Sequence, residues 1–427
     1  MARPADFDGY VADSAYPSLL HQEFQPPWID AALSIRGVVP PRADAQDPFT
    51  LVDLGCGDAI GLILAAASHP HGRFIGVDAL PDHIARGQRA IDGIGLTNIT
   101  LICGGFADVL DRADGNADYV TAQGVLAWIS EANRTAFMDL AAHWLKPGGA
   151  LCIGYNAFPG WSQIAPFQAL VRAAALEQPG SSGERFQAAV RQVRESGTIA
   201  DDVWAWLDAL LETIDPNYFA HEYLNAHWKP CWSGEVIAEL AKRDCAFVGQ
   251  AGRSKLRDDL CLTAEWRTAL AKFESVSSRE IAQDLLTHCW FRRDLFVKLP
   301  AYAFDDGELI DRRLASWWCL AAASPVDVAM TSETPAGEID FDNDAARAIL
   351  KQLDDGPVCL AQLGDRFAAA DLLNSIDALM IAGLVTPIDP PALDAAVSRT
   401  HDWFARNEIA IAGCATANGA MLRSATS

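Results

Sequence analysis

Short apolar segments typical of β-strands alternate with segments of helical periodicity between residues 50 and 155. The strand-type segments are TLVDLG, RFIGVD, ITLICG, DYVTAQG and ALCIGY, and IGLILAAASH, PDHIARGQRAIDGIG and NRTAFMDLAAHWL have apolar residues at helical spacing. Two parallel strands can be joined only by a long crossover, which is usually a helix, so this order predicts βαβ units. We therefore expect an α/β fold with a doubly wound, mostly parallel sheet and helices on both faces.

The first predicted strand ends in an acidic, glycine-rich turn, LVDLGCGDAIG at 51–61, and a helix follows at once. Gly55 and Gly57 suit a position where the chain turns sharply and a ligand lies against bare backbone. Asp78 ends the next strand, where a carboxylate can accept both hydroxyls of a ribose. An isolated G-x-G is also compatible with a purely structural turn, but this combination indicates a nucleoside site.

Two details distinguish between nucleotides. The spacing Gly55, Gly57, Gly61 is one residue longer than the dinucleotide pattern G-x-G-x-x-G. Asp53 precedes the first glycine, and a carboxylate there suits a cationic amino-acid group better than a pyrophosphate. S-adenosylmethionine offers a ribose, an aminoacyl group and no phosphate. A further turn and strand, LKPGGALCIGY at 145–155, completes the pattern.

Together these motifs resemble the class I S-adenosylmethionine-dependent methyltransferases. GVLAWIS and YNAFPGW, after the fourth and fifth strands, are similar to signatures of bacterial methyltransferases with a methyltransferase regulatory domain. That group includes the lysine methyltransferases of outer-membrane proteins. HEYL at 221–224, CWSGEVIAELAKRDCAFVGQA and FRRDLFVK at 291–298 extend the resemblance, which covers roughly 10–385. It implies a seven-stranded-type methyltransferase sheet and S-adenosyl-L-methionine as cofactor.

The resemblance also implies the residues that bind the cofactor. They are Tyr16, Asp53, Gly55, Cys56, Gly57, Asp78, Ala79, Phe106, Asp108 and Gln123. The chain departs from the family at Gln123, where a His is usual, and after the third strand, where Gly105 and Phe106 come before the acidic residue.

Methyl transfer from a sulfonium mainly requires alignment, so no catalytic dyad is needed. Side chains at the ends of the fourth and fifth strands should face the crevice. We predict that Tyr155 and Asn156 orient the acceptor and that Trp128 attracts a cation through its ring, although core packing is the alternative for the tryptophan. His221 and Glu222 lack the second His of a zinc motif, so we expect helix packing or substrate gating there and no metal site.

The charge balance excludes some classes of partner. Lys and Arg total 33 against 56 Asp and Glu, a net charge of -23, which repels phosphate backbones. The fourth strand is followed by AQGVLAW and not by the D/N-P-P-Y/F loop of base-methylating enzymes. The start of the chain lacks the apolar stretch of a signal peptide. We expect a cytoplasmic protein without nucleic-acid binding or membrane insertion.

Changes of pattern along the chain predict four parts. A leader, 1–48, folds over the cofactor site, and 49–265 form the methyltransferase domain with CAFVGQAG and DLCLT as its last strands. This domain contains a helical insertion at about 162–225 and a regulatory-domain-like part at about 215–265. A mainly helical C-terminal region, 266–408, holds a winged-helix-like unit at about 340–388, and 409–427 form a flexible tail.

The function expected from the resemblance is N-methylation of protein lysine. A small-molecule methyltransferase and a non-catalytic methyltransferase-fold scaffold remain alternatives. The expected partner is a protein substrate, with a small molecule as the alternative, and the winged-helix-like unit suits protein interaction or homodimer formation.

Overall fold

A computed structural model describes residues 8–13, 20–211, 216–321, 330–390, 395–409, 414–415 and 421–422. Its centre is a seven-stranded sheet with the order β3-β2-β1-β4-β5-β7-β6. The strands are β1 Phe49–Leu54, β2 Gly72–Asp78, β3 Ile99–Cys103, β4 Ala117–Gln123, β5 Leu145–Asn156, β6 Cys245–Gln250 and β7 Phe291–Lys298. The first five strands are parallel to one another, whereas β7 is antiparallel to both β5 and β6. The α/β, mostly parallel sheet predicted from the sequence is confirmed.

Helices cover both faces of this sheet. The flanking helices are α1 Pro26–Ile35, α2 Ile60–Ser68, α3 Pro81–Ile94 and α4 Glu131–Trp144. Alternate residues of each strand enter separate cores: Leu51, Tyr119 and Cys152 pack with α1 and α2, whereas Val52, Val120 and Leu151 pack with α4. This period of two decides which strand residues share a face.

Four helices after β5 form a cluster with its own apolar core. They are α5 Ala165–Ala175, α6 Ser182–Ser196, α7 Asp201–Leu211 and α8 Pro216–Leu224, and α9 Ser233–Ala241 follows them and leads to β6. Phe167, Phe186 and Tyr223 are buried at the centre of the cluster. The helices occupy the part of the chain where we predicted a helical insertion.

The prediction for the last two strands is half wrong. CAFVGQ is β6, but DLCLT contributes only the short helix α10, Asp258–Cys261. The helix α12 ends at Thr287, and FRRDLFVK, which we placed in a helical region, is β7. Most residues of β7 are buried because both faces of the sheet are covered, so its sequence lacks the apolar–polar alternation of a half-exposed strand. The pattern of apolar residues therefore did not distinguish a strand from a helix. The sheet therefore extends past the predicted boundary at 265.

The C-terminal region combines helices with small antiparallel sheets. Its elements are α11 Ala264–Leu270, α12 Val276–Thr287, α13 Asp306–Leu314, β8 Trp317–Leu320, β9 Thr331–Thr334, β10 Gly337–Asp340, α14 Asp344–Asp354, β11 Val358–Cys359, α15 Ala369–Ala382, β12 Val385–Ile388, α16 Ala395–Arg406, β13 Cys414–Ala415 and β14 Met421–Leu422. Strands β11, β8 and β12 form one sheet in that order. The winged-helix-like arrangement is not confirmed. None of the described helices has the length and apolar character needed to cross a membrane.

A buried arginine joins the C-terminal region to the sheet. Arg42 is 3% exposed, and its Nη2 donates to Oδ2 of Asp30 at 2.8 Å while its Nη1 donates to Oδ2 of Asp389 at 3.0 Å. The Arg42 Nε also lies 3.0 Å from the hydroxyl of Tyr119 on β4. Leader, sheet and C-terminal region are thus held by one ionic cluster.

Candidate functional site

The glycine turn after β1 has a backbone shape that side chains disfavour. Gly55 and Gly57 have φ angles of 78° and 58°, in the left-handed region. A Cβ on Gly55 would lie 2.5 Å from Cγ2 of Val125, whereas a Cβ on Gly57 would meet nothing within 4 Å. The turn is therefore packed on one side and open on the other, as expected of a surface that a ligand contacts.

Asp78, at the end of β2, holds this turn in place. Its Oδ2 accepts a hydrogen bond from the Gly57 amide at 2.9 Å, and its Oδ1 accepts one from the Leu80 amide at 2.9 Å. His83 Nδ1 lies 3.3 Å from Oδ1. The carboxylate lines a cavity while each oxygen keeps further lone pairs for a ligand.

Asp53 lies beside the turn on the same edge of the sheet. The Thr121 hydroxyl donates to its Oδ1 at 2.8 Å. Burial raises the pKa of Asp53 to about 6, partly opposed by the Thr121 hydrogen bond and reinforced by the charge of Asp78. A cationic ligand group would stabilise the ionised carboxylate, so the site favours a cation here.

One cavity of about 1130 Å³ joins these residues. Among the predicted site residues, the structure places eleven on its wall: Asp53, Gly55, Cys56, Gly57, Asp78, Ala79, Phe106, Asp108, Gln123, Trp128 and Asn156. Tyr16 lies outside the described residues. The structure does not bring Tyr155 to the cavity, since it is 0% exposed and absent from the wall.

Side chains of successive strand residues point to opposite faces of the sheet, which explains why Asn156 lines the cavity and Tyr155 does not. In the pairing of β5 with β7, Asn156 lies opposite Phe291 and Gly154 lies opposite Arg293. Asn156, Phe291 and Arg293 line the cavity. Tyr155, between Gly154 and Asn156, points to the opposite face, where its hydroxyl donates to Oδ2 of Asp294. Adjacent strand residues cannot both face one crevice, so the predicted orienting role of Tyr155 has no direct contact to support it.

Phe106 and Asp108 stand at the end of β3. The Phe106 ring packs edge-on against Phe137 with centroids 5.4 Å apart. Oδ2 of Asp108 accepts a hydrogen bond from the Gly105 amide at 3.3 Å, which shapes the loop that follows the strand. Both side chains lie on the same wall as Asp78.

A polar cluster that the sequence did not reveal lies at the ends of β4 and β7. His21 of the leader has its Nε2 3.3 Å from Nε2 of Gln123 and its Nδ1 3.4 Å from Nη2 of Arg293. Arg293 Nε is 3.8 Å from Oε2 of Glu23. Among the described residues, Arg293 Nε and Gln123 Oε1 have no hydrogen-bond partner although both are buried. Gly154 makes room for this cluster, since a Cβ there would lie 2.0 Å from Gln123 Oε1.

A second carboxylate also comes to the cavity from far along the chain. Glu222 of α8 is 5% exposed, and Nδ2 of Asn156 donates to its Oε2 at 3.1 Å. Burial raises its pKa to about 7, and hydrogen bonds from Asn156 and Tyr218 partly oppose this. In the sequence, HEYL extended the regulatory-domain resemblance and we expected helix packing or substrate gating there, but nothing indicated that α8 faces the glycine turn.

Aromatic rings form much of the remaining wall. Trp161 and Trp290 have ring centroids 5.5 Å apart, and Tyr10 lies 6.2 Å from Trp128. Tyr218 also lines the cavity. Cations are attracted to such faces, so the wall near Glu222 favours a positively charged or sulfonium-bearing group.

Residues 8–13 of the leader run across this wall and are held there by hydrogen bonds to residues of, or next to, the surrounding helices. Oδ2 of Asp8 accepts hydrogen bonds from the Ser130 amide and Asn133 Nδ2, each at 2.8 Å. The Val11 amide donates to Oδ1 of Asn225 at 2.8 Å. These contacts hold Tyr10 at the wall of the cavity.

Comparisons with known proteins agree with this geometry. A family model described as a methyltransferase domain matches residues 51–149, and one described as a predicted methyltransferase regulatory domain matches 215–298. An uncharacterised protein of Synechocystis is 25% identical over 83% of this chain and 71% of its own length. Trans-aconitate 2-methyltransferase of Methylobacterium nodulans is 28% identical over 41% of this chain and 61% of its own.

Among solved structures, PKMT2 from Rickettsia typhi in complex with AdoHcy has the same fold. Its TM-score is 0.71 at 18% sequence identity, covering 96% of this chain and 86% of that one. The glycine turn and Asp78 thus lie within the matched methyltransferase segment, and β6 and β7 of the same sheet lie within the matched regulatory segment. The chain contains a methyltransferase domain and a methyltransferase regulatory domain, and it is an S-adenosylmethionine-dependent methyltransferase.

Proposed function

We propose that this protein transfers a methyl group from S-adenosylmethionine to the side-chain nitrogen of lysine in a protein substrate. One observation carries the proposal: a single cavity joins the glycine turn and Asp78 to a wall made of aromatic rings and the Glu222 carboxylate. The first half suits the cofactor, and the second suits a cationic amine. The likeness in fold to PKMT2 and the motif resemblance to lysine methyltransferases support the choice of acceptor.

The residues present fit the cofactor along the whole edge of the sheet. Asp78 would accept the ribose hydroxyls, and Asp53 would face the amino group of the methionine part. Arg293 with His21 would receive the carboxylate of the methionine part, for which Arg293 Nε, buried without a hydrogen-bond partner among the described residues and 3.8 Å from Oε2 of Glu23, provides a donor. Phe106 and Asp108 would contact the adenine.

The bound cofactor supplies an electrophilic methyl carbon, and the protein's task is alignment. Asn156 and Trp128 line the cavity at the ends of β5 and β4, where they would position the acceptor nitrogen. The aromatic wall excludes water, and desolvation favours the neutral amine that attack requires. Proximity and orientation then provide most of the acceleration.

Labelling separates the proposed function from its alternatives. The purified chain is incubated with methyl-labelled S-adenosylmethionine and a cell lysate, and the products are divided into protein and small molecules. Label recovered as methyl-lysine after acid hydrolysis supports the proposal. Label in small molecules supports a small-molecule methyltransferase, and tight cofactor binding without transfer supports a scaffold. Asp78→Asn serves as the matched control that should abolish labelling.

A further inference from the structure

Glu222 is a buried carboxylate that the matched methyltransferase domain does not contain. It lies on α8, within the segment matched by the regulatory-domain model, yet it lines the cavity that holds the glycine turn. We infer that Glu222 binds the ammonium group of the acceptor and takes its proton before methyl transfer. This inference rests on the proposed function and assigns a catalytic residue to the regulatory segment.

The carboxylate is held in a fixed position at the wall. Asn156 Nδ2 donates to its Oε2 at 3.1 Å, and Tyr218 provides a second hydrogen bond. Asn156 is itself placed by the end of β5, one strand from Gln123. The side chain that holds Glu222 therefore belongs to the same strand end as the cofactor site, which puts proton acceptor and methyl donor in one enclosure.

The charges around Glu222 leave room for a cation. Burial, together with the negative charge of Glu222, raises the pKa of Tyr10 of the leader and of Tyr223 of its own helix, so both stay neutral, and Tyr218 is a hydrogen-bond donor to Glu222. His221 precedes it and packs on the Tyr10 ring at 5.6 Å. Among the described groups, no permanent cation contributes to the pKa of Glu222, which burial raises to about 7. An incoming ammonium would supply the missing positive charge.

The proton transfer is balanced within this pair. One N–H bond of the ammonium breaks and its electron pair stays on nitrogen, while the proton forms an O–H bond with a Glu222 oxygen. The nitrogen then has the lone pair that attack on the methyl carbon requires. Glu222 returns the proton to solvent, so one proton is released for each methyl group transferred. A carboxyl group that titrates near neutral pH is suited to this exchange.

The first test measures ammonium binding without turnover. The full chain is saturated with AdoHcy, and n-butylammonium is titrated by calorimetry or tryptophan fluorescence in the wild type, Glu222→Gln and Glu235→Gln. Glu235 is an exposed glutamate of α9 and is the matched control. We expect Glu222→Gln to bind n-butylammonium at least about tenfold more weakly with unchanged AdoHcy affinity, because it loses a charge-assisted contact.

A second readout tests the proton itself. The rate of methyl-lysine labelling by the wild type should fall as the pH is lowered through about 7, because a protonated Glu222 can no longer take the proton of the ammonium group, and Glu222→Gln should be slower and lack this step. Equal n-butylammonium affinity in wild type and Glu222→Gln, no measurable binding by AdoHcy-loaded wild type, or the same pH step in Glu222→Gln would each overturn the inference. Failure of the wild type to bind AdoHcy would instead contradict the proposed function.

Discussion

At the residue scale, Asp78 has two tasks, since it orders the glycine turn and faces the cavity. Asp78→Asn keeps the shape of the side chain but removes the charge that would accept the ribose hydroxyls. Hydrogen bonds to a charged group contribute about 1.5–3 kcal/mol each, so we expect AdoHcy affinity to fall about a hundredfold or more by calorimetry. Asp82→Asn, at an exposed position of the following helix, should leave the affinity unchanged. Unchanged affinity in Asp78→Asn would refute the cofactor assignment.

Arg293 allows a more specific test of how the cofactor lies. The wild type should bind S-adenosylmethionine at least about tenfold more tightly than its decarboxylated analogue, because the analogue lacks the partner of a charge-assisted hydrogen bond. In Arg293→Gln the two affinities should become nearly equal, whereas Asp78→Asn should weaken both ligands together. A wild-type preference that survives in Arg293→Gln would place the carboxylate elsewhere.

At the element scale, the two faces of β5 separate two roles. Tyr155 contacts Asp294, which also binds Nε of the fully buried Arg292 at 2.8 Å. Tyr155→Phe should therefore lower the free energy of unfolding by about 1–3 kcal/mol and leave AdoHcy affinity unchanged. Chemical denaturation and calorimetry measure the two quantities. Tyr302→Phe, at a position 70% exposed, is the control. A loss of cofactor affinity without a loss of stability would show that Tyr155 acts in the cofactor site and not in the core.

This pair of neighbours also shows what sequence reasoning can reach. Local patterns identified β1 to β5 and the glycine turn, because a turn that binds a nucleoside needs particular residues at particular positions. The period of two also implied that Tyr155 and Asn156 face opposite sides, so that part of the site was predictable. Glu222 and Arg293 were not, since they reach the cavity only through the packing of α8 and the position of β7 in the sheet. Such long-range placement cannot be inferred from the residues that are neighbours in sequence.

At the scale of the whole molecule, Arg42 connects parts that are distant in sequence. Arg42→Met would leave Asp30 and Asp389 buried without their cation, a change that typically costs about 3–5 kcal/mol. We expect a loss of that size in the free energy of unfolding from denaturant titration. Arg347→Met removes an ion pair of an arginine that is 62% exposed and should cost less than about 1 kcal/mol. Equal losses of unfolding free energy in the two variants would show that the Arg42 cluster stabilises the fold no more than a surface ion pair does.

The same cluster gives the stability a defined acid dependence. Burial works against ionisation of Asp389, but His69 and Arg42 together lower its pKa to about 2. Because an unfolded aspartate titrates near about 3.9, the contribution of Asp389 is present above that pH and is lost as the pH falls through about 2. The difference in unfolding free energy between wild type and Asp389→Asn should shrink over that range, and a constant difference would contradict the low pKa.

The position of β7 has a consequence for synthesis of the chain. The sheet places β7 between β5 and β6, although it follows both in sequence. Until residue 298 has left the ribosome, the long strand β5 is an open edge with unpaired backbone groups and an apolar surface, a template for association with other chains. Pairings this distant in sequence also form slowly. The nascent protein therefore passes through a long aggregation-prone interval, and a protein truncated before β7 should accumulate in inclusion bodies.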